Sequence, residues 1–264
     1  MMKMITSFFL TTFVFYANAD VKIYANDTSV MAFEESEGSK NIMSTLYGGS
    51  NNSGAASPAS CVVKYNLKKE SNTYLGSLLP FDSEIMSYSN GENTATFENV
   101  GNVMTYISGS AIDVCPMGTD FIGDYELVTV KSSGYKEYFD SLIEFNYTNA
   151  LDIFKTKNKQ RAINFISPYI KTALDNGYYY KKIFNDYGFF LQQAGRNKEA
   201  IDILTIVVTN TPKRTVAYIN LGDAYWDIGD KKNASKNYKI YLSLMEKANG
   251  SNIPDRVMKR IGIN

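Results

Sequence analysis

The chain has 264 residues, of which 44% are hydrophobic, so it can form one large domain or two smaller ones with a sizeable core. Basic and acidic residues number 27 each, and this neutral balance argues against the basic face of a nucleic-acid-binding protein. The chain has no histidine, which removes the commonest general base and metal ligand and excludes Ser-His-Asp and Cys-His catalytic sites.

The N-terminus, residues 1–19, has the pattern of a secretory signal peptide. Lys3 gives the positive start, Met4–Tyr16 is apolar with only Thr and Ser as polar interruptions, and Ala17–Ala19 has the small-x-small cleavage pattern. The apolar run is shorter than the roughly 20 residues that a membrane anchor needs. We therefore expect cleavage before Asp20, export to the periplasm or medium, and no integral membrane segment in the mature protein.

The cysteines are Cys61 and Cys115. An oxidising compartment favours a disulfide between them, and closing a loop of about 54 residues would stabilise the fold by about 4 kcal/mol. Two cysteines without histidine make a poor zinc site, and an oxidised sulfur cannot act as a nucleophile. We predict a structural disulfide, no metal site and no cofactor.

Residues 20–133 have the pattern of a β domain. Short runs rich in β-branched and aromatic residues alternate with turn residues, which predicts about seven strands in an antiparallel sandwich or small barrel. The small and polar residues of 48–60 predict a loop within this domain. The clearest predicted strands are Val21–Tyr24, Ser29–Phe33, Cys61–Leu67, Asn102–Ser108 and Phe121–Val130.

The strongest hairpin signal in the β domain is Asn90-Gly91, because both positions of such a turn need positive φ. The flanking segments Glu84–Ser89 and Glu92–Glu98 are expected to pair with each other. A second turn is predicted at Asn99–Gly101.

The hydrophobic period changes after the linker Lys131–Gly134. Apolar residues between Tyr135 and Thr156 recur at helical spacing, and no strand-like alternation returns. We therefore predict an α+β chain with a helical domain over 134–264.

Residues 181–214 align with residues 215–248, at a shift equal to the length of one copy. The matching pairs are Tyr187-Gly188 with Leu221-Gly222, Leu191 with Tyr225, Gly195 with Gly229, Ala200 with Ala234, and Leu204 with Tyr238, and Pro212 closes the first copy. This pattern resembles the tetratricopeptide repeat (TPR) family, which has a period of about 34 residues, most closely in Leu221–Tyr225. The resemblance implies pairs of antiparallel helices, with Gly188 and Gly222 where the two helices of a pair come close.

A degenerate third copy is predicted at about 139–176. Arg161–Ile166 is similar to Glu199–Leu204, but the shift from position 161 to position 199 is longer than the shift between the two later copies. The degenerate copy and the tail Ser251–Asn264 would cap the stack, because such helix pairs bury their apolar faces only against neighbours. The resemblance covers about residues 139–248.

The resemblance also implies a concave groove lined by the first helix of each pair. Some family members clamp a partner's terminal carboxylate with Lys, Asn and Arg. Lys182 and Asn220 stand at two clamp positions here, but Phe189 and Asp223 replace Asn, so the full clamp is absent. The predicted binding residues are Lys182, Asn185, Phe189, Gln192, Ile219, Asp223 and Trp226.

These features predict a protein-binding or adaptor protein with a protein or peptide partner in the cell envelope, and not an enzyme. An alternative for the aromatic rings Phe189 and Trp226 is that they pack against the β domain. Another alternative is an inhibitor or immunity protein against a cell-wall hydrolase or toxin, because Tyr106–Ala111 is similar to the Ser-Gly loop of periplasmic lysozyme inhibitors.

A third alternative is a hydrolase that uses two carboxylates. Two groups of acidic residues could supply them. They are Asp120, Asp124 and Glu126, or Glu34, Glu35 and Glu37.

Overall fold

The computed structural model describes residues 19–36, 41–49, 61–79, 81–82, 87–88, 94–109, 114–115, 119–248, 250 and 252–262. The strands are β1 (Ala19–Ala25), β2 (Ser29–Ser36), β3 (Asn41–Gly48), β4 (Cys61–Glu70), β5 (Thr73–Leu78), β6 (Phe81–Asp82), β7 (Ser87–Tyr88), β8 (Thr94–Val100), β9 (Val103–Gly109) and β10 (Gly123–Val128). The helices are α1 (Tyr135–Lys155), α2 (Lys159–Asp175), α3 (Lys181–Gln193), α4 (Asn197–Asn210), α5 (Thr215–Asp227), α6 (Lys231–Lys247) and α7 (Asp255–Ile261). The predicted signal peptide lies outside these residues, except for Ala19.

Eight of the strands form a closed antiparallel barrel in the order β1-β10-β9-β8-β5-β4-β3-β2. Of the two predicted architectures, the structure therefore has the barrel. Strand β10 closes it by pairing with β1, as Ile23 opposite Val128 shows. Closure gives each of these eight strands a neighbour on both sides, so their backbone groups pair within the barrel.

The hairpin predicted at Asn90-Gly91 is not the pairing that the described strands make. The turn itself lies outside the described residues. Strand β7, which precedes it, pairs with β6, whereas β8, which follows it, pairs with β5 and β9. The turn predicted at Asn99–Gly101 does connect β8 to β9, with Gly101 at φ 63°.

Side chains of the described residues fill the interior of the barrel. Phe97 stacks on Tyr106 with ring centroids 4.6 Å apart, and the hydroxyls of Tyr65 and Tyr106 lie 3.1 Å apart. An eight-stranded barrel is just wide enough for such packing. The buried interior residues include Tyr24, Met31, Phe33, Leu46, Val63, Tyr65, Phe97, Met104, Tyr106 and Tyr125.

The predicted disulfide joins Cys61, at the start of β4, to Cys115 in the segment between β9 and β10. The neighbouring Val114 is 3% exposed and belongs to the interior cluster. The bridge therefore holds this segment against the barrel core.

A buried ion pair lies between the outer face of the barrel and the α1–α2 hairpin. Glu34 and Lys64 point outward, because they alternate along their strands with interior residues. Lys64 Nζ lies 2.5 Å from Glu34 Oε1 and 2.7 Å from Asn146 Oδ1 of α1, and Tyr169 of α2 donates to Glu34 Oε1 at 2.9 Å. Burial lowers the pKa of Lys64, against the effect of Glu34.

The division of the chain reflects this packing. One compact unit spans Ala17–Tyr180, and the second contains Lys181–Asn264. The first unit therefore extends past the linker Lys131–Gly134, where the sequence places the boundary, and includes α1 and α2. Helix formation does begin where the period changes, at Tyr135.

The second unit repeats its helix starts at the predicted interval. Helices α3 and α5 begin at Lys181 and Thr215, and α4 and α6 begin at Asn197 and Lys231, so the two intervals are equal and match the shift between the sequence copies. Helices α2 and α4 begin at Lys159 and Asn197. This longer interval equals the shift from position 161 to position 199 on which the degenerate copy was predicted.

The repeated spacing of glycine in the two copies has a packing cause. A Cβ atom on Gly188 would lie 2.6 Å from Leu204 Cγ, and one on Gly222 would lie 2.6 Å from Tyr238 Cε1. Only glycine allows the two helices of each pair to come this close. This confirms the role that the resemblance implies for both residues.

Candidate functional site

The seven predicted binding residues lie on the first helices of the two repeats, Lys182, Asn185, Phe189 and Gln192 on α3 and Ile219, Asp223 and Trp226 on α5. These helices contact each other, and Gln192 Nε2 donates to Asp227 Oδ2 across them at 2.9 Å.

Four of the seven side chains reach the surface. Lys182 is exposed, and Phe189, Gln192 and Trp226 are half-buried. We refer to these four residues as the α3–α5 surface.

The other three predicted binding residues are buried instead. Asn185 is 2% exposed and its amide donates to Asp186 Oδ1 at 2.9 Å. Ile219 is 7% exposed and packs in an apolar cluster with Tyr218 and Tyr241. They therefore contribute to the packing of the unit and not to an accessible surface.

Asp223 is the third buried residue, and α7 explains its position. Arg256 Nη2 lies 2.9 Å from Asp223 Oδ2, and Arg260 Nη1 lies 2.5 Å from Asp223 Oδ1. Tyr238 also donates to Asp223 Oδ1 at 2.7 Å and accepts from Arg260 Nη1 at 2.6 Å. The carboxylate that the sequence assigned to a partner is thus neutralised within the chain.

The electrostatics of this network follow from its hydrogen bonds. The hydrogen bond to Asp223 raises the pKa of Arg256 above its usual value. Burial, and then the hydrogen bond to Asp223, raise the pKa of Tyr238. Both side chains therefore keep their protons at neutral pH and remain donors to Asp223.

Trp226 lies beside two cations. Lys231 Nζ is 3.4 Å from the centroid of its ring and donates to its carbonyl oxygen at 3.0 Å, and Arg260 Cζ is 5.0 Å from the ring centroid. Cations over an indole face are attracted by the negative face of the ring. Trp226 is thus a half-buried aromatic side chain with two cations beside its ring.

Arg256 and Arg260 are not among the residues predicted from the sequence, although the sequence contains a signal for them. Helix α7 ends at Gly262 with φ 76°, and α5 is followed by Gly229 with φ 84°. When these two glycines are aligned, α7 corresponds to the second half of α5, and Arg256 falls on the position of Asp223. This alignment places α7 like the end of α5, at an interval one residue shorter than the interval between the two repeats.

The candidate catalytic carboxylates of Glu34 and Glu35 lie in two different environments. Glu34 points outward to Lys64, whereas Glu35 lies 2.6 Å from Lys22 Nζ and accepts from the hydroxyl of Tyr74. Burial would raise the pKa of Glu35, but hydrogen bonds from Lys22 and Tyr74 lower it. Glu37 lies outside the described residues.

The candidate group of Asp120, Asp124 and Glu126 is brought together only in part. Asp124 and Glu126 line a cleft of about 510 Å³ together with Asp27. Asp120 does not line this cleft, and its carboxylate accepts from the backbone of Ile122 at 2.9 Å. In the part of the chain that the structure describes, no group of three or more cysteine or acidic side chains is placed to hold a metal ion.

The segment that is similar to the Ser-Gly loop of lysozyme inhibitors is largely strand. Tyr106–Gly109 belongs to β9, and Tyr106 points into the barrel interior. The last two residues of the segment, 110–111, lie outside the described residues.

Comparison with known proteins identifies no family for this chain. No protein-family model and no curated protein matches the chain. The solved TPR domain of Sgt2 from Aspergillus fumigatus is similar at 18% identity over 46% of this chain and 74% of that chain, with a TM-score of 0.38. MamA 41-end from Desulfovibrio magneticus RS-1 is similar at 18% identity over 48% of this chain and 72% of that chain, with a TM-score of 0.39.

These scores are low, so the assignment of the helical region rests on the chain itself. Its two helix pairs start at equal intervals, and glycine stands at both close approaches. Among the described helices, none combines the length and apolarity that crossing a bilayer requires. The chain joins an eight-stranded barrel to a TPR-like helical region.

Proposed function

We propose that this chain is an exported protein of the cell envelope, periplasmic or secreted, whose helical unit binds a protein or peptide partner through the α3–α5 surface. The observation that carries the proposal is the pair of accessible aromatic side chains, Phe189 and Trp226, on the first helices of two consecutive repeats.

Aromatic side chains of this kind are suited to anchor a partner. They provide a large contact area, and truncating such residues accounts for much of the affinity lost in interfaces. Lys182 and Gln192 supply polar groups beside them, as a binding rim requires. The proposed activity is binding without catalysis and without a cofactor.

The test is a pull-down from envelope extract with immobilised chain 20–264 and a Phe189→Ala/Trp226→Ala variant. Truncating two anchors should weaken capture at least about tenfold, because each contributes more than about 1 kcal/mol in a typical interface. Ile228→Ala is the matched control, because Ile228 is an apolar residue that is 44% exposed and lies outside the α3–α5 surface.

Circular dichroism must show that all variants keep their helix content. A partner lost only by the double variant would support the proposal and identify the target. A partner retained equally by wild type and the double variant would refute the proposal. It would favour binding through the barrel, as expected of an inhibitor or immunity protein.

A further inference from the structure

Helix α7 has an apolar stripe and a basic stripe. Val257 and Ile261 lie four residues apart in the helix, and so do Arg256 and Arg260, so each pair lies on one side of α7. Ile253 precedes the helix and lines the same cleft as Ile261. Val257 is fully buried in the cluster at the end of the second unit. The segment thus has the form of a short basic amphipathic helix.

The surface beneath α7 is complementary to these stripes. Tyr218, Tyr238 and Tyr241 form its apolar part, and Val257 of α7 packs in one cluster with them. Asp223, whose side chain is only 10% exposed, is its acidic part and receives both arginines. A carboxylate in such a place is stable only with cationic donors, because burial without them carries a large desolvation cost.

The fit between α7 and this surface is incomplete. A cleft of about 520 Å³ remains between α6 and the α7 segment, lined by Leu242 of α6 and by Ile253 and Ile261. The side chain of Arg256 is 46% exposed. A helix as short as α7 has little stability of its own, so it keeps its place only through its contacts with α5 and α6.

We propose that the α5–α6 surface around Asp223 is a docking site for basic amphipathic helices and that α7 is its internal occupant. A partner helix with two cations one turn apart, beside an apolar stripe, displaces α7 and pairs with Asp223. Because Arg260 lies over Trp226, displacement also uncovers part of the α3–α5 surface. This last consequence rests on the proposed function, whereas the docking itself does not.

The test uses chain 20–264 and a synthetic peptide of residues 250–262, with the fluorescence of Trp226, the only tryptophan, as the readout. The variant Arg256→Gln/Arg260→Gln weakens the chain's own α7, so the peptide should bind it at least about tenfold more tightly than it binds wild type. Adding Asp223→Asn should reduce that affinity by about tenfold or more, because the peptide arginines lose their partner.

Two controls separate docking from a change in charge. Lys259→Gln removes an exposed cation of α7 and should leave the affinity at the wild-type level. A peptide with Gln at both arginine positions should bind no variant. Equal affinity for wild type and the double variant, binding that survives Asp223→Asn, or no binding to any variant would overturn the proposal.

Hydrogen exchange of the wild-type chain gives a second measurement that needs no variant. Amides of α7 should exchange at least about tenfold faster than those of α5, because local opening requires only the loss of the α7 contacts. Equal protection of the two helices would overturn the proposal. Neither measurement depends on the envelope pull-down, so the docking site and the proposed function can fail separately.

Discussion

Replacing Lys64 by alanine breaks the buried ion pair that lies between the barrel and the α1–α2 hairpin. The side chains of Lys64 and Glu34 are 6% and 4% exposed. The substitution leaves the carboxylate of Glu34 without its cation and removes the donor to Asn146 Oδ1. Breaking one partner of a buried pair costs about 3–5 kcal/mol.

Replacing both members of the pair has a smaller expected effect. In Lys64→Met/Glu34→Leu no buried charge remains, and such exchanges are often neutral or stabilising by about 1–4 kcal/mol. The hydroxyl of Tyr169 and the amide oxygen of Asn146 lose their partners, at about 1–3 kcal/mol each. We therefore expect the double variant to be more stable than Lys64→Ala, by about 1 kcal/mol or more.

The assay is denaturant unfolding of chain 20–264, followed by far-ultraviolet circular dichroism and by tyrosine absorbance, since tyrosines lie in both the barrel and the helices. Lys22→Ala is the matched control, because Lys22 also pairs with a glutamate of β2 but is 49% exposed, and its loss should cost less than about 1 kcal/mol. Both signals should report a lower free energy of unfolding for Lys64→Ala than for wild type. A loss no larger than that of Lys22→Ala would refute the reasoning, because it would mean that water solvates Glu34.

Three further predictions concern the helix pairs, the disulfide and the tyrosines. Gly222→Ala should destabilise the helical unit by about 1–3 kcal/mol, because the added methyl group overpacks against Tyr238. Gly229→Ala is the control, since its methyl group meets no atoms and should cost only the strain of positive φ, about 1 kcal/mol. Chemical denaturation measures both losses. Cys61→Ser/Cys115→Ser should lower the stability of the barrel by about 4 kcal/mol. A reductant should lower the stability of wild type but not that of this variant. Burial raises the pKa of Tyr125 to about 12. The side chain ionises near pH 10 in the unfolded chain, so its contribution to the stability of the fold is complete below pH 10 and is lost as the pH rises to 12. The unfolding free energy of Tyr125→Phe should therefore fall less steeply than that of wild type between these two pH values. An equal slope for wild type and Tyr125→Phe would contradict this assignment.

Local and periodic signals predicted a large part of the fold. The change of period after Gly134, the equal spacing of the helix pairs and the turn at Gly101 are all visible within a short stretch of chain. Glycine is informative at such points because a helix contact or a positive φ excludes other residues whatever the surroundings. The disulfide was also predictable, because only one pairing of two cysteines exists.

Pairings between distant segments were predicted less well. Asn90-Gly91 favours a local turn, but β8 pairs with β5 and β9 because the closed barrel satisfies more backbone groups than an isolated hairpin. The candidate site shows the same limit of local patterns. Asp223 has the pattern of an accessible groove residue until α7 is placed beside it, because the contact with Arg256 joins two helices that are not neighbours in the chain.

The sequence by itself determined that the chain has a β part followed by helix pairs, and where each helix pair begins. A hydrophobic period is visible over a few turns of helix, and the repeat is visible when its two copies are aligned. Tertiary structure alone decided that the barrel closes, that α1 and α2 join it through Lys64 and Glu34, and that α7 neutralises Asp223. These outcomes depend on which side chains lose water together when distant segments pack, and the free energy of that desolvation belongs to the assembled fold and not to any segment of it.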